Sequence, residues 1–237
     1  MKILLISNST NAGEEYLRYP LAEIGRFLDG IREVVFVPYA AVTSSYTAYE
    51  KRVQERFAEL GIRVHSLHRA VDPRKVIRRA QAIVVGGGNT FALAKKMHEQ
   101  GLMREILLKL RTGTPYIGWS AGSNVCCPTI STTNDMPIVT PASMRAIGAV
   151  PFQINPHYLD ANPDGHAGET REQRLLEYIE ANPQRWVVGL REGCMLRYEE
   201  GRLELIGNRP MRLFRKGLEP RELRAGDDLA FLLEKEK

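Results

Sequence analysis

Tyr116-Ile117-Gly118-Trp119-Ser120-Ala121-Gly122-Ser123-Asn124 runs from an apolar segment through Gly-x-Ser-x-Gly into small residues that suit a helix. A strand that turns sharply into a helix holds a serine at its apex with the hydroxyl exposed. The flanking residues must be small for such a turn to close, and glycine tolerates its unusual backbone angles. The helix N-terminus that follows offers partial positive charge to a developing oxyanion. The same letters also suit an ordinary glycine-rich turn, so the rest of the chain must supply the partners a nucleophile needs.

Upstream, strands and helices alternate. Residues 2–7 read as a strand buried on both faces, 34–37 and 62–67 as two more, and 82–85 as a fourth. Helices are expected over 20–29, over 45–60 with Tyr49, Val53, Phe57 and Leu60 on one face, from Asp72-Pro73 to Arg79, from Asn89-Thr90 onward, and over 103–111. This alternation predicts a doubly wound, mostly parallel α/β sheet, whose sites lie at the carboxyl ends of strands. Gly86-Gly87-Gly88 and Ser120 both fall there. Residues 125–168 are proline-rich and irregular, which in a compact domain points to a functional segment. Thr170 with Gln173 forms a capping box for a helix to Ala181, and 186–190 reads as a further strand. From 194 onward, short runs at 194–198, 202–206, 212–214 and 229–233 predict a β-rich tail. No linker or repeat divides the chain, so a single domain over 1–237 is expected.

Composition narrows the function classes. The net charge of +5, from 33 basic and 28 acidic residues, is spread along the chain. Arg74-Lys75 and Arg78-Arg79 read as solvated helix faces, so no nucleic-acid partner is expected. Cys126, Cys127 and Cys194 make an odd set without a C-x-x-C, which suits buried free thiols rather than a disulfide framework or a zinc site. The apolar N-terminal run is too short for a signal peptide and no run approaches a membrane span; a cytoplasmic protein without membrane attachment is expected.

A serine needs a base at neutral pH. Of the five histidines, His65 and His98 lie within regular elements and His68 just past a strand. His157, in Gln153-Ile154-Asn155-Pro156-His157, stands where a proline fixes a turn at the end of a short strand, and His166 lies in a glycine-flanked loop. His157 is the better base. The base in turn needs an acidic orienter. Asp135 gives the chain order Ser–Asp–His, whereas Glu192, directly after the strand 186–190, gives Ser–His–Glu; spacing alone does not choose between them. Gly88, with Ala121, can present N–H groups to an oxyanion. The competing phosphate-loop reading of Gly86–Gly88 lacks both nucleotide fingerprints. Arg171, at the first position of its helix, is either a solvated cation or half of an anion site.

Five blocks in order, Gly86-Gly87-Gly88-Asn89-Thr90-Phe91, Gly118-Trp119-Ser120-Ala121-Gly122, Thr132-Thr133-Asn134-Asp135-Met136-Pro137, Gln153-Ile154-Asn155-Pro156-His157 and Gly168-Glu169-Thr170-Arg171-Glu172-Gln173-Arg174, together resemble the peptidase E family of aspartyl dipeptidases. The likeness runs from the Ser7-Asn8-Ser9 turn to about Gly193. It implies a three-layer, mostly parallel flavodoxin-like sheet of the class I glutamine amidotransferase-like type. It implies a serine peptidase that cleaves dipeptides and short peptides after an N-terminal aspartate, with no metal or organic cofactor. By resemblance Ser120 is the nucleophile, His157 the base, Glu192 the favoured orienter with Asp135 as the alternative, and Arg171 the partner of the aspartyl carboxylate. Two other readings stand beside it: a cyanophycinase-like hydrolase of an aspartate-backbone polymer, and a non-enzymic small-ligand module on the same sheet. Oligomeric state is open, a homodimer being compatible.

Overall fold

The computed structural model describes residues 1–161 and 168–234. The first half alternates as expected: β1 (Ile3–Ile6), α1 (Leu21–Phe27), β2 (Glu33–Val37), α2 (Tyr46–Ala58), β3 (Arg63–Ser66), α3 (Pro73–Arg79), β4 (Ile83–Val85), α4 (Thr90–Glu99), α5 (Leu102–Arg111), β5 (Tyr116–Trp119) and the one-turn α6 (Ala121–Asn124). After an irregular stretch come β6 (Gln153–Tyr158), α7 (Arg171–Ala181), β7 (Val187–Arg191), β8 (Met195–Glu199), β9 (Arg202–Ile206), β10 (Met211–Phe214) and β11 (Arg221–Leu223).

The strands form two sheets. The larger has the order β3-β2-β4-β5-β1-β8-β9; its first five strands are parallel, and β8 and β9 extend it antiparallel. Every residue of β1, β4 and β5 is buried, as strands covered on both faces require. Residues of β1 point alternately to the two sides. Leu4 and Ile6 pack with Ile24, Phe27, Val53 and Phe57 of α1 and α2. Ile3 and Leu5 belong to the opposite core, with Ile77, Leu93, Ile106 and Leu110 of α3, α4 and α5. Helix starts follow their capping chemistry: Ser45, Asp72, Asn89 and Thr170 each accept a backbone N–H of the first turn, and Thr170 with Gln173 completes the capping box.

The C-terminal part differs from the sequence expectation in two ways. Residues β6, β7, β10 and β11 form a separate four-stranded sheet, ordered β11-β10-β7-β6, whose inner residues Ile154, Val188, Leu190 and Leu213 share the larger core. The run at 229–233 is not a strand: Ala230–Leu233 is a 3-10 turn, started where the Asp228 carboxylate accepts the Ala230 N–H. A short apolar run has no periodicity to separate strand from helical turn.

The two sheets meet at the carboxyl ends of β1 and β7. Ser7 Oγ donates to the Leu190 carbonyl at 2.7 Å and accepts the His157 N–H at 2.9 Å. Asn8 Oδ1 accepts the Gly193 N–H at 2.9 Å, and Ser7 N–H donates to the Cys194 carbonyl. The segment on both sides of Glu192 is thereby clasped to the end of β1.

Candidate active site

Ser120 stands between β5 and α6 with φ +53° and ψ −114°, a conformation that L residues rarely adopt. Its surroundings admit only small neighbours. A Cβ on Gly118 would lie 2.3 Å from the Gly122 carbonyl oxygen, and one on Gly122 would lie 2.1 Å from that of Val85. Hydrogen bonds bolt the turn in place: Tyr116 Oη donates to the Gly122 carbonyl, and Ser123 Oγ bonds the carbonyls of Ile6 and Gly118. Since α6 is one turn long, its macrodipole is small. What it offers an anion is the Ala121 N–H, one of the first-turn groups with no carbonyl inside the helix.

His157 comes from the other sheet. The pairing of β6 with β7 slips between Pro156 and Tyr158, and His157 there has φ +53°. A bulge re-aims a side chain, and an edge strand with a bulge is where a proline fits. His157 Nε2 lies 2.9 Å from Ser120 Oγ, and His157 Nδ1 lies 2.7 Å from Glu192 Oε1. An ionised carboxylate only accepts, so Nδ1 carries the proton and Nε2 accepts from the serine hydroxyl. Ser120, His157 and Glu192 thus form one directed hydrogen-bond chain.

Asp135 lines the same cleft but faces other partners. Its Oδ2 accepts the Thr90 N–H at 2.7 Å, the Thr90 hydroxyl at 2.6 Å and the Thr133 hydroxyl at 3.1 Å, which caps α4 from outside. Asp135 Oδ1 has no hydrogen bond among the described residues. The segment carrying Asp135 is tied to β6 through Asn134 Nδ2 to the Pro156 carbonyl and Asn155 Nδ2 to Asn134 Oδ1.

Two clefts share Ser120, Asp135 and His157. The smaller, about 350 Å³, is also lined by Arg171 and Glu192. The larger, about 730 Å³, is also lined by Gly87, Gly88, Tyr49 and Arg52. Gly88 has φ +133°, and a Cβ on it would lie 2.2 Å from the Ala40 carbonyl oxygen; a Cβ on Gly87 would lie 2.9 Å from Ser120 Cβ. The glycine turn therefore meets the serine at Gly87 and the Ala40 backbone at Gly88. Arg171, first residue of α7, has its Nη1 buried without a hydrogen-bond partner among the described residues. Burial pulls its pKa below the ordinary value and Arg174 adds to this, while Glu192 and Asp135 oppose it. A half-buried guanidinium whose Nη1 is buried without a partner among the described residues, lining one cleft with a half-buried serine, is a site short of an anion.

The remaining candidates lie elsewhere. His65 pairs with Glu33, His98 bonds the Arg145 carbonyl, and His68 bonds Ser66 and Thr47. His166 lies outside the described residues. The three cysteines are buried and free, with burial raising every thiol pKa, that of Cys127 to about 12. Among the described residues no group of His, Cys, Asp and Glu could hold a metal, and no helix is long and apolar enough to cross a membrane. Sequence reasoning missed Ser7 and Asn8 as the clasp behind His157 and Glu192. It also missed Arg191, buried and forked between Asp160 and Glu222, which anchors the residue before Glu192. No motif marks either.

The family model for peptidase family S51 matches residues 3–206. The chain is 50% identical over 235 residues to peptidase E of Nostoc sp., covering 99% of this chain and 97% of that one. It is 47% identical to peptidase E of Streptomyces coelicolor, covering 99% and 96%, and 45% identical to peptidase E of Salmonella typhimurium, covering 95% and 99%. Among solved structures, a peptidase from an acI-B1 Actinobacterium superposes with a TM-score of 0.70 at 16% identity, covering 96% of each chain. A putative peptidase E protein from Listeria monocytogenes does so with 0.65 at 20% identity, covering 87% of this chain and 98% of that one.

Proposed function

The chain belongs to peptidase family S51 and is a peptidase, and from that premise we propose that it removes an N-terminal aspartate from dipeptides and short peptides through an acyl-enzyme on Ser120. The observation that carries this reading is the directed chain Ser120–His157–Glu192 beside an unpaired Arg171 in one cleft. His157 Nε2 takes the Ser120 proton as Oγ attacks the carbonyl after the aspartyl residue, and the Gly88 and Ala121 N–H groups receive the oxyanion. The imidazolium, held by Glu192, returns the proton to the leaving amine. Water then enters on the same base and releases aspartate. Arg171 pairs with the aspartyl side-chain carboxylate, and Asp135, through Oδ1, receives the substrate's α-ammonium. A soluble cytoplasmic setting suits a substrate of this kind.

Hydrolysis of Asp-Leu beside Glu-Leu, Asn-Leu and N-acetyl-Asp-Leu tests the proposal. Cleavage of Asp-Leu with loss of the other three supports it. Equal rates on all four would discard the roles of Arg171 and Asp135, and release of Asp-Arg from an aspartate-backbone polymer without cleavage of Asp-Leu would favour a polymer hydrolase.

The orienter is separable by mutation. Glu192→Gln is expected to lower kcat about ten- to a hundredfold, because the neutral amide no longer stabilises the imidazolium. The effect is modest for such a group, since the Glu192 side chain is 42% exposed and water screens its charge. Asp135→Asn is expected to act mainly on KM for substrates with a free amine. Steady-state kinetics on both variants check this; a larger kcat loss for Asp135→Asn than for Glu192→Gln would exchange their roles.

A further inference from the structure

Ser120 and His157 line both clefts, whereas Arg171 lines only the smaller and Arg52 only the larger. The nucleophile therefore borders two clefts, one holding Arg171 and the other Arg52. A substrate whose aspartyl side chain runs to Arg171 sends its leaving group into the larger cleft, toward Arg52.

Arg52 is built to present a free charge there. Its guanidinium lies over the Tyr16 ring, 4.6 Å from the centroid, and 5.3 Å from that of Tyr49. Stacking occupies the flat face of a guanidinium and leaves its N–H edge open to a carboxylate. The aromatic platform is itself fixed to the catalytic turn: Tyr49 Oη donates to the Gly87 carbonyl at 3.0 Å, and Trp119 Nε1 donates to Tyr49 Oη at 3.1 Å. Nearby acids are already engaged. Glu15 pairs with Arg56, Glu59 with both Arg18 and Arg56, and Glu50 with Arg69. Arg52 has no carboxylate partner among the described residues.

We propose that Arg52 reads the free C-terminal carboxylate of a short leaving group, one or two residues long. This rests on the peptidase reading above and adds a specificity determinant on the far side of the scissile bond. Each added residue moves the carboxylate by about 3.3–3.6 Å, so longer peptides carry their charge past the guanidinium and gain nothing from it.

The test compares kcat/KM for Asp-Leu with that for Asp-Leu amide, and for Asp-Gly-Leu with its amide, in the wild type, Arg52→Gln and Arg52→Lys. The wild type is expected to favour the acid over the amide about five- to tenfold in at least one pair, as a partly exposed ion pair gives. In Arg52→Gln that ratio falls toward one, mainly through KM, and Arg52→Lys keeps part of it. A general structural effect of the substitution would lower acid and amide alike and leave the ratio unchanged. An unaltered ratio in Arg52→Gln, or no acid preference in the wild type, overturns the assignment while aspartyl peptide cleavage stands. Failure of the wild type to cleave any of the four overturns the aspartyl-peptide reading, and the assignment with it.

Discussion

Ser120→Ala is expected to lower kcat on Asp-Leu about ten thousand- to a millionfold while leaving the fold in place. Among the described residues the hydroxyl bonds His157 Nε2 alone. Alanine keeps the β-carbon, so the backbone at φ +53° meets the same steric demand as before. The turn itself is held by Tyr116 and Ser123, not by Ser120. Thermal unfolding should therefore move little, within the range of a substitution that empties no core space. The thiols offer no substitute nucleophile: all three are buried, pushed away from the thiolate form and absent from both clefts. Near-wild-type turnover by the alanine variant would remove Ser120 from the reaction.

Arg171→Met is expected to reduce the preference for Asp-Leu over Asn-Leu about a hundredfold or more, read as the ratio of kcat/KM values. The same substitution should leave the melting temperature unchanged or raise it. Arg171 Nη1 is buried without a partner among the described residues, and its charge is disfavoured by burial. Removing an uncompensated charge from such a place relieves the free protein, although the substrate loses its counter-ion. The pairing of lost selectivity with undiminished stability is the signature that separates a binding arginine from a structural one. A variant that melts early and keeps its aspartate preference would place Arg171 among the structural ion pairs.

Much of the fold was legible in the sequence because its elements announce themselves locally. β1, β2, β4 and β5 carry apolar runs, and the helix after Asp72-Pro73 begins with the Asp72 side-chain cap. The second sheet was not legible. Apart from the neighbours β10 and β11, its strands are well separated in the chain, and pairing across such distances leaves no mark on any one of them. Pro156 and His157 read as the turn that ends a strand; they are the bulge inside one, visible only once β7 lies beside them. For the site, Gly-x-Ser-x-Gly, His157 and the two acidic candidates were readable, and Glu192 against Asp135 was not. That choice depends on which carboxylate reaches Nδ1, a matter of position in space. Arg52 and its tyrosine platform were invisible for the same reason, since Tyr16, Tyr49 and Trp119 meet from three separate segments.

Ser7 bonds β6 and β7 from the end of β1, and in doing so it joins two slabs that each carry half of the reactive geometry. The hydroxyl of Ser120 rides on one slab, and the imidazole and carboxylate ride on the other. A slide of a fraction of an ångström along that joint breaks no helix, opens no core and leaves every strand paired, yet it parts a 2.9 Å contact between serine and histidine. Being folded and being competent are then two distinct conditions for this molecule, and the second is a tolerance on the fit between its halves.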